Sequence, residues 1–164
     1  APFDPTNTGG DTLTTGSAYN WNEFSLRYES DARKTFNFTS NIRYGGHYNG
    51  NKFSLNGTIN YRVQPYINLS ISTTYDKIDL PEPFESMAFL LIGPRLDLTF
   101  TNKLFLTTFV QYNDQADNVN VNLRFQWRFA PVSDLFIVYT NNSYPNDFRT
   151  KDKALVAKIS YWFN

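Results

Sequence analysis

From Trp21 to the end of the chain, apolar and polar residues alternate with period two, in segments separated by clusters of Gly, Asn, Asp and Pro. This pattern predicts nine strands, at about 21–30, 35–45, 52–63, 66–75, 88–100, 104–113, 118–129, 134–141 and 153–164. On the five cleanest of them, 24 of 27 positions on one face are apolar or aromatic, while on the other face only Val156 and Trp162 break 23 otherwise polar positions. One side of the resulting sheet must therefore meet an apolar environment and the other water. Strands 5, 6 and 8 are less tidy: Phe105, Phe109, Phe136 and Val138 fall on the polar side, as if buried on both faces. Gly93-Pro94 interrupts strand 5, and because proline has no N–H to give to a ladder, a bulge or a strand beginning at Arg95 is expected there. Residues 1–20 lack alternation and read as a loop or linker, with Thr12 to Thr15 a weak strand candidate. No helix is predicted, and the longest apolar run, Met87 to Gly93, falls far below the ~18 residues of a membrane-crossing helix.

Composition narrows the classes. With 164 residues, one domain is expected, and 15 basic against 15 acidic residues remove the broad electrostatic case for a nucleic-acid partner. The absence of cysteine excludes disulfides, thiolate metal sites and cysteine nucleophiles. The chain starts at Ala1 without a Met or a leader, which reads as a mature product or a piece of something longer.

Two architectures produce this alternation: a soluble barrel or sandwich with the apolar face inside, or a membrane barrel with that face turned to lipid. Three details favour the second. The polar face of the five clean strands holds Asn, Ser, Thr, Gln and Arg but no acid, unlike the mixed Lys and Glu of a solvated exterior. Six of the seven lysines lie at or beside predicted turns, leaving Lys158 alone in a strand interior. Aromatic residues of the apolar face gather toward strand ends, Tyr44, Tyr75, Tyr112 and Tyr139 at one and Tyr28, Phe36, Tyr61, Phe100, Trp127, Phe129, Tyr161 and Phe163 at the other. Two aromatic rows bracketing an aliphatic band are the girdles of an outer-membrane barrel.

The expected fold is thus all-β, an antiparallel transmembrane barrel over 21–164 preceded by an extracellular loop or linker over 1–20. Placing the C-terminus in the periplasm makes the short connections (31–34, 64–65, 101–103, 130–133) periplasmic and the long ones (46–51, 76–87, 114–117, 142–152) extracellular. Nine strands is an odd number, however, and an open edge in lipid would leave unpaired backbone groups. A larger barrel is expected, completed by upstream strands of the same gene product or by another envelope subunit.

The stretch Leu104 to Asn142 resembles the end of a family of large outer-membrane proteins of Bacteroidota. The residues that carry the resemblance are Phe109 to Asn113, Asn118 to Arg124 with Trp127, and Pro131 to Asp134 leading into Leu135 to Tyr139. In that family a signal peptide and a carbohydrate-binding-module-like β-domain precede a C-terminal barrel whose function is not established. The resemblance covers about a third of the chain, and residues 1–85 match only in style. It implies that the missing strands lie upstream in the same polypeptide. Barrel insertion signals usually end on an aromatic residue; here Phe163 is followed by Asn164.

Candidate functional residues follow from the alternation. Arg27, Arg43, Arg62, Arg95, Arg124, Arg128 and Lys158 against Glu23, Glu29 and Asp97 are expected in the lumen, an excess of four positive charges that would attract anions or pair with acids on unseen strands or a plug. Val119, Val121, Leu123, Phe125, Trp127, Leu155, Ile159, Tyr161 and Phe163 are expected to face lipid. Ten acids (Asp4, Asp11, Asp76, Asp79, Glu82, Glu85, Asp114, Asp117, Asp147 and Asp152) belong to the long loops, as a solvated rim without a calcium-loop pattern. His47, the single histidine, excludes multi-histidine metal sites and sits in the turn Gly45 to Gly50. The function expected is a pore or a scaffold subunit of an envelope complex in the outer membrane of a Gram-negative bacterium. Its partners would be the bilayer and lipopolysaccharide, and no catalytic residue, metal or cofactor is expected. The alternatives are an outer-membrane hydrolase using His47 and a soluble barrel or sandwich binding an apolar ligand.

Overall fold

The computed structural model describes residue 4, residues 12 and 13, residues 16–84 and residues 86–163. It contains nine strands: β1 Glu23–Glu29, β2 Phe36–His47, β3 Gly50–Val63, β4 Ile67–Asp79, β5 Met87–Thr101, β6 Leu104–Asn113, β7 Asn118–Ala130, β8 Ser133–Ser143 and β9 Thr150–Ser160. They form one antiparallel sheet in which spatial order follows chain order from β1 to β9. The registers keep every apolar set on the same side: Val63 lies opposite Ile67, then in turn Leu98, Leu106, Phe125, Ile137 and Ala157. A slip of one residue at any pair would turn that strand's apolar residues to the other face, so the pattern itself fixes the register.

The strand ends depart from the sequence expectation where polar residues continue a ladder. β2 and β3 extend to His47 and Gly50, so the expected loop 46–51 is a two-residue turn, with Tyr48 at φ 54°. β4 runs on to Asp79, which places Asp76 and Asp79 in a strand rather than a loop. β9 starts at Thr150, so Lys151 and Lys153 are strand residues, and it ends at Ser160. Tyr161 and Phe163 therefore lie past the strand, because Asp134, one residue from the start of β8, already pairs with Ser160. Connections 30–35, 64–66, 102–103 and 131–132 lie at one end of the sheet and 48–49, 80–86, 114–117 and 144–149 at the other. Length distinguishes the ends less cleanly than expected, since 48–49 is short and 30–35 is not.

β5 passes through Gly93 and Pro94 without a break, so neither a bulge nor a start at Arg95 is found there. Both residues pair with β4, while toward β6 the pairing steps from Ile92–Tyr112 to Arg95–Phe109 and leaves the two without a partner. The proline is accommodated by a gap on one side of the strand, and the register irregularity of this pair falls instead between Thr99 and Thr101. Within the weak strand candidate, Leu13 makes a single bridge; Thr14 and Thr15 lie outside the described residues, as do Asp11, Glu85 and Asn164.

Burial is inverted relative to an ordinary globular domain. Among the described residues the buried hydrophobic side chains are Leu13, Ile78 and Leu80, whereas Asn37, Ser54, Ser133 and Ser143 are buried polar ones. On the apolar face of interior strands Tyr44 is 55% exposed, Ile59 48% and Trp127 46%, against 2% for Ser54 on the opposite side. Among the described residues a single sheet offers this apolar face no second layer.

Candidate functional site

Hollows open on the polar face. One of about 650 Å³ is lined by residues that include Asn37, Asn60, Arg62, Asn68, Asp97 and Thr99, and another lies over Arg27, Asn41, Asn56 and Thr74. By register, Arg27, Arg43, Arg62, Arg95, Arg124, Arg128, Lys158, Glu23, Glu29 and Asp97 all stand on this face. One row across the sheet runs Arg62, Asn68, Asp97, Thr107, Arg124, Val138 and Val156.

Asp97 is the hub of that row. It accepts from the Arg95 guanidinium at 3.0 Å, the Thr107 hydroxyl at 2.8 Å and the Asn68 amide at 3.4 Å, so strands β4, β5 and β6 are tied through one carboxylate. Arg27 pairs with Glu29 at 3.3 Å and Arg128 with Asp134 at 3.3 Å, where Gln126 also donates. The Arg62 guanidinium donates to the carbonyl of Ala32 and so pins the β1–β2 connection over the hollow. Elsewhere the wall is held by amide ladders. Asn118 and Asn120 both donate to Asn142, which donates to Asp152, and Asn60 donates to Asn37. Buried amides need such partners, since an unpaired one costs roughly 1–3 kcal/mol.

Arg43, Arg124 and Lys158 have no carboxylate partner within salt-bridge distance among the described residues. Arg124 instead lies over the Phe136 ring, 5.0 Å from its centroid. Phe136, Val138 and Val156 form a small apolar patch with Arg124 and Lys158 around a hollow of about 500 Å³. Of the two aromatic residues that β6 places on the polar side, Phe105 and Phe109, the second has a local reason. The Phe109 ring lies against Gly93, 3.3 Å from where a β-carbon would stand, and covers backbone that glycine leaves bare.

Sequence reasoning missed Asp134 and the Lys52–Asp76 pair, 3.7 Å apart, all on the polar face. Parity with Phe136 and Val138 was signal enough for Asp134; Asp76 was hidden because β4 seemed to end at Tyr75. Together with Asp152 these acids reduce the positive excess on this wall. At the rim, Lys77 pairs with Asp79 at 3.1 Å and Arg149 with Asp147 at 3.9 Å. The Lys151 ammonium sits over Tyr144 at 4.3 Å and donates to the carbonyls of Ala116 and Asp117, which joins the 144–149 and 114–117 connections.

His47 is the last residue of β2 rather than a loop residue, and its ring packs 4.6 Å from that of Tyr48 and 6.4 Å from that of Trp21. Gly46 is required there because a β-carbon would lie 2.4 Å from that of Trp21. Among the described residues no three His, Asp or Glu side chains are grouped to hold a metal ion.

On the apolar face Val119, Val121, Leu123, Phe125 and Trp127 of β7 stand in register with β8, and Leu155 and Ile159 continue the face onto β9. Tyr161 and Phe163 extend it beyond the last strand: the Tyr161 ring stacks on Phe129 at 6.3 Å and meets Phe163 at 4.6 Å. Trp127 also contacts Phe129, so the aromatic residues at this end touch one another.

No family model, curated protein or solved structure matches this chain.

Proposed function

We propose that the chain is a segment of an outer-membrane β-barrel, with its apolar face in lipid and its polar face lining a water-filled interior. In this reading it forms the wall of a pore or serves as a scaffold subunit of an envelope complex, and performs no chemistry of its own. The observation that carries the reading is the inverted burial: on interior strands Tyr44, Ile59 and Trp127 of the apolar face are exposed while Ser54 and Asn37 of the polar face are enclosed. In water that arrangement forfeits the hydrophobic stabilisation of about 25 cal/mol per Å² that folds a soluble domain. In a bilayer it is the favourable one. A soluble barrel or sandwich would need the apolar face turned inward, whereas the hollows lie on the polar side.

The strands also have the length for it, since about 9–11 tilted residues cross a bilayer and β2 to β9 span from Leu104–Asn113 to Met87–Thr101 in extent. The connections 30–35, 64–66, 102–103 and 131–132 then face the periplasm together with the C-terminus. The connections 48–49, 80–86, 114–117 and 144–149 face outward, beside lipopolysaccharide. The test is fractionation of cells that make the protein. It is expected to stay with the membrane pellet through high salt and alkaline carbonate and to leave it only with detergent; release by carbonate would overturn the reading.

A further inference from the structure

On the polar face of β8, an interior strand, two apolar side chains stand side by side: Phe136 and Val138, both half-buried. By register Val138 lies between Arg124 of β7 and Val156 of β9, and Phe136 between Gln126 of β7 and Lys158 of β9. Phe136, Val138 and Val156 thus floor a hollow of about 500 Å³, with Arg124 and Lys158 at diagonal corners. Small-molecule sites span roughly 300–1,000 Å³, so the space is ample for a compact organic ligand.

The charges around this floor are not neutralised within the described residues, and the acids that could do so are committed elsewhere. Asp97 accepts from Arg95, Thr107 and Asn68, and Asp134, the next polar-face residue of β8 after Phe136, accepts from Arg128 and Gln126. Arg124 is held over the Phe136 ring, 5.0 Å from its centroid, which fixes the guanidinium against the apolar floor. Arg43 supplies the contrast. It too has no carboxylate within salt-bridge distance, but by register it stands between Ser25 and Ser54, where an anion would find charge and no apolar surface. At the β7–β9 hollow both are present. A wholly apolar ligand would bury two cations without a partner, and an inorganic anion would leave the floor against water, forfeiting about 25 cal/mol per Å² of apolar area.

We infer that this hollow binds a small organic carboxylate with an apolar body. The carboxylate is taken by the Arg124 guanidinium, whose fork suits two parallel hydrogen bonds, and the Lys158 ammonium adds attraction from the opposite corner. The apolar body lies on Phe136, Val138 and Val156. The inference rests on the barrel reading above and names the class of solute that its polar wall would take.

The experiment uses the polypeptide as the cell makes it, reconstituted in lipid nanodiscs, with para-fluorophenylacetate as the probe and fluorine NMR as the readout. Empty nanodiscs give the background. The result expected is saturable broadening of the probe signal. The neutral para-fluorophenylacetamide and the ringless fluoroacetate are each expected to bind at least roughly tenfold more weakly, the loss of one charge-assisted contact or of the apolar one. Arg124→Gln should weaken the probe by a similar factor and Lys158→Gln by less, while Arg43→Gln leaves it unchanged. Val138→Asn should weaken the probe but not fluoroacetate. Heat-modifiable migration checks that each variant folds, and Val156→Asn serves where Val138→Asn does not. Folded protein without saturable broadening would overturn the inference. So would equal binding of all three probes, or an equal loss on Arg43→Gln. Carbonate extraction keeps the two readings apart: protein that stays in the membrane and ignores the probe overturns this inference alone. Protein that carbonate releases yet binds the probe overturns the barrel reading and supports the site.

Discussion

Leu123 and Asn122 are neighbours in the chain with opposite obligations. Asn122 donates to the Thr140 hydroxyl at 3.0 Å on the polar side, and Leu123 stands opposite Tyr139 on the apolar side. An arginine at the bilayer midplane costs about 2–4 kcal/mol, and almost nothing against water. Leu123→Arg is expected to lose heat-modifiable migration and folding into vesicles, while Asn122→Arg folds; equal tolerance would mean that Leu123 does not face lipid. Val132 poses a different local problem. It is a β-branched residue at φ 55° in the two-residue β7–β8 connection, 69% exposed, so its side chain gains little packing for the conformation it is forced into. Left-handed backbone costs an ordinary residue roughly 1–2 kcal/mol, a penalty that asparagine largely avoids. Val132→Asn is expected to raise the urea midpoint by an amount equivalent to about 1 kcal/mol, and an unchanged or lower midpoint would contradict the strain.

At the scale of elements, all nine strands were legible, because a half-apolar strand needs its partners only to confirm a period already present in its own residues. Their ends were less so. The Gly45-Gly46-His47 segment and Asp76 to Asp79 look like loop by composition, yet both are paired, since a ladder needs backbone partners and not apolar side chains. The reverse holds at Tyr161 to Phe163, where alternation continues past the point at which β8 has residues left to pair. The polar wall was legible as a set of arginines but not as a set of pairs. That Asp97 gathers Arg95, Thr107 and Asn68 depends on three registers at once, which no single strand encodes. Gly45 shows how one residue can govern an element. A β-carbon there would lie 2.3 Å from the Asn22 carbonyl oxygen and 2.6 Å from the Glu23 α-carbon, both backbone atoms at the start of β1. Gly45→Ala is expected to push β1 off β2 at a cost of about 1–3 kcal/mol. Hydrogen exchange should register it as lost protection of the Gly46 amide, which donates to Asn22 at 3.0 Å. Retained protection would show that the strand yields without separating.

For the whole molecule, the distribution of charge matters more than its total, which is zero. Arg27, Arg95 and Arg128 are each matched by a carboxylate, so the positive field inside a barrel built on this wall would come chiefly from Arg43, Arg62, Arg124 and Lys158. If the assembled barrel conducts, it is expected to favour anions. Changing those four residues to Gln should shift the reversal potential in planar bilayers toward cations. The shift should shrink in 1 M salt, where the screening length falls to about 3 Å from about 10 Å at 0.1 M. An unshifted potential would indicate that other charges set the selectivity.

The strand order has a consequence in time as well as in space. Because every strand lies beside the one made just before it, hairpins can form and join in succession, each closing only a short loop. The outer edges of β1 and β9 stand outside that succession, since neither faces another strand among the described residues. The described strands therefore come together without any long-range closure, a zipper that engages tooth by tooth and leaves bare backbone only along its two outermost strands.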